Sequence, residues 1–237
     1  MKTINCPKSW ADVKLVDYIR WFRSVKPYSE TEEYADKAIL HGIFNFTNIT
    51  EDEYLNLPER EINEIRIKIA NLLNKTYNSF LPKTITIDEV KYGFIPSLDD
   101  MTYGEYLDLV TYTKKNMWEQ MPTVMAMMYR PIINESGNKY TIEKYSGTNE
   151  DRVETFNLYL TMDCVFGALS FFLDLQTDLL IGTQTYLQEM LKKMGKKGSP
   201  LQMALAQNGM DTTQLQFLQE MTSSNLIALQ NSQFINV

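Results

Sequence analysis

The residues that most often carry enzyme chemistry are scarce in this sequence. Its 237 residues include one histidine, His41, and two cysteines, Cys6 and Cys164. One histidine with two distant cysteines cannot build a typical four-ligand zinc site within a single chain. The sequence also has no Gly-x-Ser-x-Gly elbow, no Walker A loop and no dinucleotide fingerprint. We therefore predict no catalytic, cofactor-binding or metal-binding residues, and we predict that the protein is not an enzyme.

Disulfides and an export signal are also missing from the sequence. Two cysteines are too few for a disulfide framework, and Cys164 lies in an apolar run where a buried thiol is the usual interpretation. The first residues, Met1-Lys-Thr-Ile-Asn-Cys-Pro7, lack the apolar stretch of a secretion signal. We expect synthesis in a reducing cytosol.

Positively charged residues are fewer than negatively charged ones. Lysine and arginine number 23 against 30 aspartates and glutamates, which leaves a formal net charge of −7. This balance argues against a primary role in coating nucleic acid, because phosphate neutralisation needs clustered cations. Hydrophobic residues at 44% and aromatic residues at 12% are typical of a globular chain, and its length allows one sizeable core or two small ones.

The titratable residues that stand out have structural explanations. The pairs Asp99-Asp100 and Glu150-Asp151 resemble the two carboxylates of a glycosidase, but both pairs precede helical patterns. Acidic residues at a helix start favour the helix dipole, and this explanation is preferred. His41 lies at an apolar helix end, where a hydrogen-bonded structural histidine is expected.

Two further clusters leave alternatives open. The lysines between 192 and 197 form a small basic patch that could touch nucleic acid, but a solvated helix end is the preferred interpretation. Four methionines crowd one predicted helix, where core packing is favoured over an adaptable partner surface. These methionines are Met121, Met125, Met127 and Met128.

The stretch Leu98–Ile133 organises the rest of the chain. Thr102 and Glu105 have the spacing of a capping box, which predicts a helix start. A second helix is predicted through Pro122 to the break at Tyr129-Arg130-Pro131, because proline ends helices. The first of these helices is expected to bury an apolar face made of Tyr103, Tyr106, Leu107 and Val110.

The remaining patterns predict helices with two hairpins. Helices are expected to begin near Ser9, Glu30, Thr50 and Pro58. Hairpins are expected around Asp88-Glu89 and around 134–138. The apolar segment from Val153 to Ile181 is predicted to be a core helix, because its aspartates would each cost about 2.5–3.5 kcal/mol in a bilayer. The fold class is therefore mainly α with two small β-hairpins (α+β), a long buried core helix and a C-terminal extension.

Composition shifts suggest how the chain is divided. Residues 1–82 are predicted to form a helical unit, and residues 83–194 a hairpin with the central helices, sharing one core with 1–82. Gly195-Lys-Lys-Gly-Ser-Pro200 is typical of a linker. Residues 201–237 are rich in glutamine with a thin apolar stripe, which predicts a segment that folds against other proteins during assembly.

The order of motifs resembles a structural protein of tailed bacteriophages. The motifs are Pro7-Lys-Ser-Trp10, Asn56-Leu-Pro58, Met101-Thr-Tyr-Gly-Glu-Tyr-Leu-Asp108, Met125-Ala-Met-Met-Tyr-Arg-Pro131 and Phe166-Gly-Ala-Leu-Ser-Phe-Phe172. The sequence is most similar to a tail-region protein of crAss-like and related phages of Bacteroidetes. The resemblance covers about residues 7–180 and carries no functional residues with it.

The resemblance implies a non-enzymatic virion protein, either part of the portal–tail region or a packaged cargo protein. Its partners would be portal, tail or ring proteins, with several copies per particle or a homo-oligomer, no specific nucleic-acid motif and no membrane span. It would be made in the host bacterial cytoplasm and located in the virion. The alternatives are a tail-assembly chaperone absent from the mature virion and a virion-associated cell-wall hydrolase.

Overall fold

Helices and one small antiparallel sheet make up the described part of the chain in the computed structural model. The structure describes residues 4–76, 81–96, 101–114, 116–137 and 139–171. The predicted fold class, mainly α with two hairpins, is confirmed. The helices are α1 (Leu15–Val25), α2 (Tyr34–Phe46), α3 (Glu51–Leu55), α4 (Glu59–Leu73), α5 (Tyr103–Lys114), α6 (Met117–Met128) and α7 (Glu150–Tyr159). The strands are β1 (Thr84–Ile87), β2 (Val90–Phe94), β3 (Tyr129–Ser136) and β4 (Lys139–Ile142).

Local signals place several helix starts where the sequence predicts them. Thr50 accepts a hydrogen bond from the backbone of Glu53 and begins α3, and Pro58 precedes α4. Ser9 begins only a short 3-10 turn, Trp10–Asp12, and α1 starts separately at Leu15. The first predicted helix is therefore broken at Val13.

The break at Val13 meets a second break in the apolar segment after α7. The backbone N–H of Leu15 donates to Leu160 O at 2.8 Å, and that of Met162 donates to Val13 O at 2.9 Å. Lys14 and Thr161 form an antiparallel bridge between these hydrogen bonds. The predicted continuous core helix is consequently divided, with α7 ending at Tyr159 and helix resuming over 162–171, because both backbones leave the helical ladder to pair with each other.

The two predicted hairpins join into one sheet of order β1-β2-β3-β4. Asp88 and Glu89 form the first turn with φ of 50° and 63°, the left-handed geometry of a tight two-residue hairpin. The strands β2 and β3 pair across the hairpins, and this pairing sets Gly93 opposite Arg130. Because side chains alternate along a strand, Tyr129 and Arg130 face opposite sides of the sheet.

Aromatic rings build the core among the helices. Tyr18 lies 4.7 Å from Trp118 and 5.7 Å from Phe166 between ring centroids, and Trp10 lies 5.2 Å from Phe166. The indole N–H of Trp21 donates to the carbonyl of Ala38 on α2 at 2.9 Å, so this buried ring keeps its polar atom paired. The core thus joins the N-terminal helices, α6 and the segment after α7.

The helix α6 uses its methionines for packing. Met121, Met125, Met127 and Met128 are all buried, which confirms the core interpretation over an exposed partner surface. The helix ends at Met128 and β3 begins at Tyr129, at the predicted break before Pro131.

The predicted buried face of α5 is wrong at Tyr103 and Leu107. Leu107 is 44% exposed and Tyr103 is 68% exposed, whereas Leu109 and the charged Glu105 are buried. The apolar spacing alone points to the wrong face, because the helix is rotated to bring Glu105 against a cation on the sheet. The side chains of Tyr106 and Val110 lie outside the description.

The described residues up to Ala168 belong to one compact unit, and Leu169 begins a second unit. The predicted linker 195–200 and the glutamine-rich segment 201–237 lie outside the described residues, as do Asp99, Asp100 and the lysines of 192–197. In the part of the chain that is described, none of the helices combines the length and apolar character needed to cross a bilayer.

Candidate functional site

A buried ion pair joins α5 to the sheet. The Nη2 of Arg130 on β3 lies 2.7 Å from Oε1 of Glu105 on α5, and these residues are 6% and 3% exposed. Charged residues this deeply buried are found with a partner, because an isolated buried charge costs several kcal/mol. The pair is the only buried charged group in the described part of the chain.

Glu105 serves the helix start and the ion pair with different oxygens. The backbone N–H of Thr102 donates to Glu105 Oε2 at 2.7 Å, and the N–H of Glu105 donates to Thr102 Oγ1 at 3.3 Å. The predicted capping box is therefore present, and it leaves Oε1 directed at Arg130. The sequence identified the first role of Glu105 and missed the second.

The ion pair relies on charge more than on aligned hydrogen bonds. Although Arg130 Nη2 and Glu105 Oε1 are close, Oε1 has no hydrogen bond of good geometry, and neither has Arg130 Nε, among the described residues. The guanidinium also lies over the ring of Tyr145, with Cζ 5.8 Å from the ring centroid. The carboxylate and the ring together compensate the desolvated cation.

Further polar contacts tie the neighbouring elements together. The hydroxyl of Tyr145 donates to Asp108 Oδ2 at 2.5 Å, which ties the segment after β4 to α5. Burial and this hydrogen bond to Asp108 raise the pKa of Tyr145, so the phenol stays protonated. Arg152 on α7 pairs with Glu143 and donates to the carbonyl of Ala126 on α6 at 3.3 Å.

We call these residues the clamp: Glu105, Asp108, Arg130, Glu143, Tyr145 and Arg152. The clamp connects α5, α6, α7 and the sheet through groups that already have partners. Its central pair is too buried to meet a substrate, so the arrangement is suited to holding elements in place. One signal in the sequence could have revealed it, since Arg130 is a lone cation within the apolar run from Val124 to Ile133.

The candidate residues from the sequence do not converge on the clamp. Glu150 and Asp151 occupy the first turn of α7, and the cap is provided by Asn149, whose side chain accepts from Arg152 N at 2.9 Å. Among the described residues, no group of three or more histidine, cysteine or acidic side chains is arranged to hold a metal ion.

The single histidine stacks against an aromatic ring. His41 lies 6.1 Å from Tyr28 between ring centroids, and Lys37 lies over the same ring at 5.2 Å from its centroid. Burial lowers the pKa of His41, and the charge of Lys37 lowers it further.

We expect NMR titration of His41 to give a midpoint below the ordinary value of about 6.5. The variant Lys37→Gln should raise this midpoint, because it removes the nearby positive charge. The unfolded chain binds the proton more readily, so His41 should reduce stability as the pH falls through the ordinary histidine pKa. A midpoint unchanged by Lys37→Gln would contradict the assigned electrostatic effect. The assignment is direct, because the chain has one histidine.

Cys164 is a poor nucleophile in the folded chain. Burial and the neighbouring Asp163 raise its pKa to about 11, and Thr161 Oγ1 lies 3.7 Å from its sulfur. In a Cys6→Ser variant we expect thiol reagents at pH 8 to react with Cys164 roughly a hundredfold more slowly in the native protein than in urea, because the thiolate is the reactive form. Equal rates in the two states would show that Cys164 is exposed. Labelling followed by mass spectrometry measures both rates.

A groove of about 890 Å³ lies between α3, α4 and the N-terminal residues. Ile49 and Ile65 are buried along its floor, and Leu57 is half-buried beside them. Asn5 N donates to Asn48 Oδ1 at 3.0 Å and holds the N-terminal segment along one wall. This volume lies within the range of ligand pockets, about 300–1,000 Å³.

The described part of the chain is therefore a helical α+β domain. The clamp holds its elements together, and the groove is open at its surface. No protein-family model matches the chain, and no curated protein or solved structure matches it significantly.

Proposed function

We propose that this chain is a non-enzymatic virion protein of a tailed bacteriophage, acting through protein–protein contacts in the portal–tail region or as packaged cargo. The observation that carries the proposal is the orientation of α5. This helix buries the charge of Glu105, and on its outer side Tyr103 is largely exposed and Leu107, one turn away, is partly exposed to solvent. Neighbouring exposed apolar side chains are typical of a surface that another protein covers.

The clamp supports a structural role. The carboxylates of Glu105, Asp108 and Glu143 each contact a side chain of the same domain. We assign them a role in stabilising the fold, because a general acid or base must reach a proton of the substrate. The phage assignment rests on the motif resemblance. Two of its stretches, 101–108 and 125–131, supply Glu105, Asp108 and Arg130, so the resembling motifs coincide with the parts that hold this fold together.

Mass spectrometry of purified, nuclease-treated particles tests the proposal. We expect peptides of this protein at a constant ratio to the portal or tail proteins across a density gradient. Absence from particles, with co-purification of a tail protein from infected cells, would replace the proposal by the assembly-chaperone alternative. A Leu107→Glu variant should fold normally and be incorporated less, whereas Ile133→Glu, another exposed apolar position, serves as a matched control.

Zymography on cell-wall substrate addresses the hydrolase alternative. We expect no clearing from the purified chain. Clearing that disappears in Asp99→Ala or Glu150→Ala variants would overturn the non-enzymatic proposal.

A further inference from the structure

The groove between α3 and α4 combines an apolar floor with a rim that carries spare negative charge. Asp52 and Glu61 line it, and neither carboxylate has a hydrogen-bond or ion-pair partner within the described ranges. The buried residues Ile49 and Ile65 and the N-terminal residues Ile4 and Cys6 line the same groove. An apolar trough beside unpaired carboxylates is suited to a ligand with apolar and cationic groups side by side.

The other charges that line the groove are already engaged or lie apart from these acids. Glu53 accepts the backbone N–H of Thr50 at 2.9 Å, and Arg60 Nε donates to Glu64 Oε1 at 3.3 Å. Lys68 is next to Cys6, and its charge acts on the Cys6 thiol, lowering a pKa that burial raises. Asp52 in the first turn of α3 and Glu61 in the first turn of α4 therefore remain the acids of the groove without a side-chain partner among the described residues.

We infer that this groove docks a cationic amphipathic helix of a partner protein. The helix α4 forms one wall, and the short helix α3 with its flanking loops and the N-terminal segment line the rest, so an occupant is recognised through side chains placed in the trough, as when a helix lies in a groove. Apolar side chains one turn apart would cover the half-buried Leu57 and touch the small exposed parts of Ile49 and Ile65, and flanking lysines or arginines would meet Asp52 and Glu61. The inference rests on the proposed role in protein–protein contacts and assigns that role a site and a partner chemistry.

Charge separates this occupant from a second copy of the same chain. The chain carries a formal net charge of −7, so two copies meeting at an acidic groove would repel each other. A cationic partner gains from the same field, both in its rate of encounter and in its preference for this site.

A synthetic helical peptide provides the test. The probe is a 16-residue peptide with leucines at i, i+3, i+4 and i+7 spacing and lysines on the flanking positions, and its control replaces every lysine by glutamate. Binding to the full-length chain is measured by fluorescence anisotropy, and the site is located by amide chemical-shift changes. We expect the lysine peptide to bind, with shifts concentrated at Asn48, Ile49 and Ile65, and the glutamate peptide to leave the spectrum unchanged.

Matched variants separate the groove from the overall charge. Asp52→Lys with Glu61→Lys should weaken binding about tenfold, because it reverses the rim charges. Glu30→Lys with Glu32→Lys changes the net charge equally at exposed positions outside the groove and should change the affinity by less than about twofold. A third variant, Leu57→Ser, should weaken binding without changing any charge. Circular dichroism checks that each variant folds.

Three results would overturn the inference. The first is equal weakening in both charge-reversal pairs, which would show non-specific attraction. The second is no binding, or shifts confined to other surfaces, in the folded wild type. The third is a dimer in sedimentation velocity that Asp52→Lys with Glu61→Lys dissociates, which would assign the groove to a second copy. None of these results bears on the presence of the protein in particles, so particle mass spectrometry remains an independent test of the proposed function.

Discussion

The variant Glu105→Gln should lose about 3–5 kcal/mol of unfolding free energy, because it leaves Arg130 buried without its counter-charge. Glutamine keeps the length of glutamate and can still complete a capping box with Thr102. The loss therefore reports the ion pair and leaves the helix start intact. Urea denaturation followed by circular dichroism measures it from the shift in midpoint at constant slope.

Thr102→Ala is the matched control for Glu105→Gln. It removes the hydroxyl that accepts from the backbone of Glu105 and should cost about 0.5–2 kcal/mol, the usual loss of a helix cap. The ion pair with Arg130 stays in place in this variant. If Glu105→Gln cost no more than Thr102→Ala, the contribution of the buried charge pair would be refuted.

Arg130→Met completes a double-mutant cycle with Glu105→Gln. Alone, it should destabilise the protein about as strongly as Glu105→Gln, since it leaves the carboxylate buried and uncompensated. The double variant should cost much less than the sum of the two single losses, because no unpaired charge remains. Additive losses would show that the two charges act independently in the folded chain.

Gly93→Ala should cost about 1–3 kcal/mol through overpacking. A Cβ at this position would lie 2.5 Å from Tyr140 Cε2 and 2.9 Å from Ile142 Cγ2, well inside contact distance. The ring cannot easily move away, because the Tyr140 hydroxyl is 2.7 Å from the Phe94 carbonyl and 3.0 Å from that of Lys83. Glycine is thus required at position 93, because the Tyr140 ring occupies the space where a Cβ would lie. The unfolding free energy is measured in urea.

Gly104→Ala provides the opposite expectation on α5. A Cβ there meets nothing within 4 Å, so the substitution should stabilise the helix by about 0.5–1 kcal/mol.

Combining Gly93→Ala with Tyr140→Ala should cost less than the sum of the two single changes, because the small side chain removes the clash. Equal effects of Gly93→Ala and Gly104→Ala would contradict the role assigned to the Tyr140 ring.

Short-range signals explain the predictions that succeed. Thr102 and Glu105 form the predicted capping box, and Asp88 and Glu89 form the predicted tight turn, because both depend on residues a few positions apart. The predicted end of the helix before Pro131 is confirmed for the same reason. Each of these features is decided by backbone geometry within one turn, which neighbouring side chains specify directly.

Long-range contacts explain where the structure differs from what the sequence predicts. The prediction that Tyr103 and Leu107 are buried on α5 is wrong, and the buried Glu105 instead pairs with Arg130, which follows it only after the whole of α6. The predicted helices are interrupted at Val13 and Leu160 because two distant backbone segments pair there. Neither segment has a proline or glycine that would predict the interruption. The groove at Asp52 and Glu61 likewise needs three separate segments to converge.

The sequence by itself therefore determined the class of fold, the starts of several helices, the first hairpin and the use of the methionines in packing. Apolar periodicity and capping chemistry are local, and they act before any long-range contact forms. Only the tertiary structure decided which face of α5 is buried, how the hairpins join and where the clamp and the groove lie. A buried charge must find its partner, and the pairing of Glu105 on α5 with Arg130 on β3 favours that orientation over the apolar pattern of α5.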